Sequence, residues 1–179
     1  MLPSDNRRYY QEDLSSDNGK RWSQMLASVI RKANYMEFRS DYAETKDSIK
    51  EGVERAEAHI KHLGLSRQLA CIYSSLVIYQ KEYVWYSILV RLRLSAELKK
   101  KVSSYQTLED LVIRSDDDIF DPAFYFNDTP LLWTVTSMSF ANLLLNDLDK
   151  QSWQESGFDF DSFTENNPLT KRGYCKNYP

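Results

Sequence analysis

The residues best suited to do chemistry in this chain are carboxylates threaded with aromatic side chains. Residues 115–128 read SDDDIFDPAFYFND and residues 153–163 read WQESGFDFDSF. They set Asp116, Asp117, Asp118, Asp121, Asp128, Glu155, Asp159 and Asp161 among Phe120, Phe124, Tyr125, Phe126, Trp153, Phe158, Phe160 and Phe163. Solvating acidic tails are poor in aromatics, whereas interface centres are rich in them and charged rims steer partners of opposite sign. The pattern predicts a partner-binding surface built from Asp116, Asp117, Asp118, Asp121, Phe124, Tyr125, Asp128, Trp153, Glu155, Asp159 and Asp161. The competing expectation is that the aromatics close one end of the fold while the acids keep it in solution.

Other chemistries find less to stand on. His59 and His62 share a helical face at i and i+3, but Glu54 and Glu57 are each five residues from a histidine and rotated off that face. They are expected to be solvated residues near a helix end. Counted from Asp116, a calcium-binding loop would need glycine and glutamate where Asp121 and Asn127 stand. The pairs Asp147/Asp149 and Asp159/Asp161 lack a histidine base, and the chain has neither a Walker sequence nor GxGxxG. Cys71 and Cys175 have no metal or redox spacing; Cys71 reads as a small buried hydrophobe. No catalysis, cofactor or metal is expected.

Charge is segregated along the chain. Residues 1–62 carry eleven basic and eleven acidic groups, residues 63–114 eight and four, and residues 115–167 eleven acids against Lys150 alone. The formal net charge is −3, which argues against general duplex binding; a nucleic-acid role would fall to Arg91, Arg93 and Lys99 to Lys101. The opening MLPSDNRRYY has no apolar leader core and no run suits a membrane helix, so a cytosolic location is expected.

The elements that must position these residues read as helices. The chain has 179 residues, 42% hydrophobic, with five glycines and five prolines; no proline falls between Pro3 and Pro122. Sandwiches and barrels need more punctuation than that. After a polar segment 1–19, with a short helix over 5–13, Trp22, Leu26, Val29, Ala33 and Met36 form one helical stripe, and Ile49, Val53, Ala56, Ile60 and Leu63 a second that Gly64 closes. Residues 66–93, with Ser66 as N-cap, are apolar on several sides and predict a central helix. Ser95 caps a short basic helix, and Thr107 with Asp110 resembles a capping box. Thr129 and Pro130 open a last long helix, about 130–149, before a short helix or turn at Trp153 and a polar tail over 164–179.

The fold expected is one all-α domain over 1–179, a helical bundle of about five to seven helices. The function expected is a non-catalytic inhibitor of the immunity-protein or antitoxin type, occluding a basic site on a cognate toxin or nuclease. The alternative is a helical scaffold that self-associates.

Overall fold

The computed structural model describes residues 6–79, 83–113, 119–160, 162–164 and 172–179. It corrects the all-α expectation. The described residues form one nine-stranded antiparallel sheet with five short helices. In chain order the elements are β1 (Arg8–Asp13), α1 (Lys20–Ile30), β2 (Tyr35–Ala43), α2 (Ile49–His62), β3 (Leu69–Tyr79), β4 (Tyr83–Arg93), α3 (Ala96–Ser103), α4 (Leu108–Ile113), β5 (Phe120–Phe126), β6 (Thr129–Val135), β7 (Phe140–Leu145), α5 (Asp147–Glu155), β8 (Ser162–Thr164) and β9 (Arg172–Asn177). A 3-10 turn, Thr136–Met138, joins β6 to β7. The sheet order is β8-β1-β7-β6-β5-β2-β4-β3-β9.

Two of the helical stripes are helices, and both bury them on the same face of the sheet. Trp22, Met25, Leu26, Val29 and Ile30 of α1, and Ile49, Gly52, Val53, Ala56 and Ile60 of α2, recur at helical spacing and enter one core with Met36, Phe38, Ile72, Ile88, Val90, Phe124, Leu132 and Leu143. The carboxylate of Asp17 accepts hydrogen bonds from the backbone N–H groups of Arg21 and Trp22, at 3.1 and 2.9 Å, and so satisfies donors that the first turn of α1 leaves free. Past α2, Gly64 takes φ +70° and the N–H of Leu65 reaches back to the Ile60 carbonyl at 3.0 Å. Ser95 caps α3 through the N–H of Leu98, at 3.1 Å. The Thr107–Asp110 box is reciprocal, at 2.9 and 3.3 Å.

The stretch expected as a central helix is instead the hairpin β3–β4. Ile72, Tyr73, Val77, Ile78, Val84, Trp85 and Tyr86 are β-branched or aromatic, the types that favour a pleated surface. A helix apolar on several sides and two strands buried on both faces have the same composition, and pairing with β2 and β9 decides for strands. Residues 130–149 likewise give β6, the 3-10 turn, β7 and the start of α5; Pro130 lies beside a register shift in the β5–β6 ladder, where a missing N–H is tolerated. Residues 8–13 are a strand, not a helix, and Met36 belongs to β2, not α1.

Among the described residues no helix core covers the other face of the sheet, yet Asn142, Glu37 and Arg91 on it are buried. A row in register crosses it from Gln11 through Asn142, Trp133, Ala123, Glu37 and Arg91 to Cys71 and Asn177. Curvature accounts for the burial. Ser75 and Val77 of β3 line the same hollow as Trp133 and Val135 of β6, although β5, β2 and β4 lie between those strands. In a flat sheet β3 and β6 would stand roughly 19 Å apart, four strand spacings. The sheet therefore curls so that both strands face one hollow, helped by bulges in β2 and β3.

Candidate interaction surface

The sequence-predicted site residues do not assemble into one patch. Asp116, Asp117, Asp118 and Asp161 lie outside the described residues. Phe124 and Tyr125 are 0% and 1% exposed, so neither ring is available to a partner. They alternate on β5: Phe124 enters the helix-side core, and Tyr125 stands on the concave face beneath Arg91, whose guanidinium lies 5.2 Å from its ring. Burial and the neighbouring Glu37 carboxylate push the Tyr125 hydroxyl far above its ordinary value.

The carboxylates serve the fold to different degrees. Asp121, in the left-handed region at φ +50°, accepts hydrogen bonds from the N–H and hydroxyl of Thr136, at 2.8 and 2.9 Å, and pairs with Arg39 at 3.1 Å. Asp128, at the β5–β6 turn, pairs with Arg91 at 3.2 Å while its side chain stays 84% exposed. The two acids stand roughly 20 Å apart along the strand. Trp153 is half-buried, edge-on to Phe158 at 4.6 Å, and Glu155 is exposed. The backbone N–H of Asp159 bonds Glu12. In the sheet β1, β7 and β6 lie between β8 and β5. The two acidic aromatic segments thus belong to different parts of the sheet.

One end of the sheet gathers exposed apolar side chains that sequence reasoning missed. Among the described residues, β3 has no β9 partner beyond the Ser75–Arg172 pair, and β4 has no β2 partner before the Tyr86–Ala43 pair. Among the described residues, Leu76 to Tyr79 and Tyr83 to Trp85 therefore form a two-stranded arm. It displays Ile78, Tyr83 and Val84, at 61%, 62% and 48% exposure, with Leu76 and the adjacent Tyr42. Phe120 stands at the same end, because Arg39 of β2 pairs with Phe120 of β5 and β2 runs on toward the arm. Met138 joins them, since Thr136 is bonded to Asp121. The signal was in the sequence: the run from Leu76 to Tyr86 has too many large apolar groups for one helix face.

The histidine pair divides. His62 is exposed; His59 is half-buried, with Nδ1 2.8 Å from the Ser40 hydroxyl and its ring edge-on to Phe38. Among the described residues no three histidine, cysteine or acidic side chains cluster as a metal site requires. Cys71 is buried and Cys175 exposed, and neither is in a disulfide. Among the described residues no helix is long and apolar enough to cross a membrane. No family model, curated protein or solved structure matches the chain.

Proposed function

We propose that this chain is a non-catalytic inhibitor of the immunity-protein or antitoxin type, which docks the arm end of its sheet on a basic site of a cognate toxin or enzyme. The observation that carries the reading is the apolar arm: monomeric proteins seldom expose so many large side chains together except where a partner covers them. Charge supports the choice of partner. Asp116, Asp117 and Asp118 directly precede Ile119 and Phe120, so the most acidic run of the chain leads into the strand that starts at the arm end. Apolar anchors on a chain that carries so acidic a run suit an enzyme that handles polyanions and must itself be basic. This reading implies a cytosolic protein working under reducing conditions.

A tagged pull-down from the native source, at low and high salt, tests it. One stoichiometric basic partner is expected, with capture weakened by salt and abolished by Ile78→Asp with Tyr83→Asp. Recovery of the chain alone, with light scattering showing an oligomer that the same variant dissociates, would overturn the inhibitor reading in favour of a self-associating scaffold.

A further inference from the structure

We propose that the outer edge of β3 is a strand-docking site, which residues 172–179 occupy as a releasable strap and which an extended basic segment of a partner protein takes over. β9 ends the sheet order, so its release leaves β3 as an edge with an open row of N–H and C=O groups. Such an edge accepts an extended chain through main-chain hydrogen bonds, and side-chain contacts supply the selectivity.

The attachment of β9 is polar and shallow. Successive side chains of a strand point to opposite faces, so a strand that closes a core buries every second one. Gly173 to Asn177 are instead all exposed, and Tyr178 is half-buried. β3 beneath is the reverse: Cys71, Ile72, Tyr73 and Ser75, the register partners of β9, are at most 7% exposed. The ladder between the two strands also shifts register between Tyr73 and Ser75. The strap covers buried residues while burying little apolar surface of its own, and its release breaks hydrogen bonds rather than core packing. Segments with few buried apolar contacts open well below the free energy of global unfolding.

The contacts that hold β9 define what the site reads. Glu57 of α2 accepts hydrogen bonds from the Lys176 ammonium and the Tyr178 hydroxyl, and Glu54 acts on the same ammonium. A Cβ on Gly173 would lie 2.8 Å from the Ser74 hydroxyl oxygen, which instead accepts the Tyr174 N–H at 3.0 Å. Arg93 donates to the carbonyls of Tyr178 and Pro179, each at 3.0 Å. The site thus selects an extended chain with a glycine, a cation three residues later and a tyrosine two beyond that. Glu57 and Glu54 make a basic segment the fitting one. The site uses β3 before Leu76 and owes nothing to the arm, so either reading can fail while the other stands.

Thiol labelling of the full-length Cys175→Ser protein tests release, because Cys71, buried beside β9, is then the one cysteine left. Its labelling rate is expected to be nearly independent of urea below the unfolding transition, as a local opening exposes little surface. Glu57→Gln should raise that rate about tenfold, as loss of one charge-assisted hydrogen bond implies. A fluorescent synthetic peptide of residues 172–179, also with Cys175→Ser, then serves as the incoming strand. At millimolar concentration, enough to compete with a tethered strand, it should bind the full-length protein, and Lys176→Glu in the peptide should abolish that binding. Labelling that climbs steeply with urea, a rate unmoved by Glu57→Gln, or no peptide binding would overturn the proposal.

Discussion

The buried carboxylate of Glu12 accepts a hydrogen bond from the backbone N–H of Asp159, at 2.9 Å across 147 positions of sequence. The same oxygen takes the N–H of Phe160 at 3.3 Å, and the other oxygen takes Arg21 of α1 at 2.7 Å. One side chain of β1 thus ties α1 to the segment after α5. It also holds Phe160 at φ +50°, a conformation that costs a bulky residue energy unless its surroundings impose it.

Removing that carboxylate should loosen both attachments. Glu12→Ala is expected to lower stability by about 3 kcal/mol, because Arg21 and two N–H groups lose their acceptor. Burial raises the Glu12 carboxyl above its ordinary 4.5, against the lowering effect of its donors. The folded state therefore holds this proton more tightly than the unfolded chain does, and Glu12 contributes a stability that declines as pH rises from 4.5 through the folded value. Urea melts of wild type and Glu12→Gln across that range check it: the difference should shift against wild type as pH rises, and parallel curves would refute the assignment.

Asp121 is held by the fold through Thr136 and Arg39. Asp121→Ala strands the Thr136 donors and the Arg39 cation, with an expected loss of about 2 kcal/mol by thermal or urea unfolding. Glu155→Lys, on the exposed face of α5, should change stability by no more than about 0.5 kcal/mol. A partner-binding test by charge reversal must therefore separate these two positions.

Arg91 and Glu37 pair at 3.1 Å with both side chains nearly out of solvent, and the Tyr73 hydroxyl donates to the same carboxylate at 2.7 Å. Arg91→Met should cost about 3–5 kcal/mol by leaving the Glu37 charge uncompensated. The double variant Arg91→Met with Glu37→Leu should recover much of the loss, a result read from a double-mutant cycle in urea.

Gly19, at φ +93° before α1, brings the chain against the Gln106 carbonyl and the Thr107 side chain. A Cβ there would sit 2.5 Å from the Gln106 carbonyl oxygen. Gly19→Ala combines a left-handed backbone with that clash, and a loss of about 2 kcal/mol or more in urea melts is expected.

The arm should be nearly free of folding duty. Ile78→Asp and Tyr83→Asp remove side chains that are mostly solvent-exposed, so each is expected to change stability by less than about 0.5 kcal/mol in denaturant melts. A larger loss would mean that the arm packs on the protein's own surface.

The signals that sequence alone determined are the short-range ones. Asp110 lies three residues from Thr107, Leu98 three from Ser95 and Leu65 five from Ile60, so those caps are written in adjacent turns. The stripes of α1 and α2 are periodic for the same reason. Strand pairing has no such local record. The hairpin β3–β4 lacks Gly, Pro or Asn in its connecting Gln80-Lys81-Glu82, and its two-sided burial mimics a central helix until β2 and β9 provide ladders on either side. The acidic count over 115–167 was legible; its division between separate strands was not, because sheet order alone sets how far β5 lies from β8. The concave hollow is likewise a tertiary product: Val77 and Val135 face one space only through the accumulated curl of the strands between them.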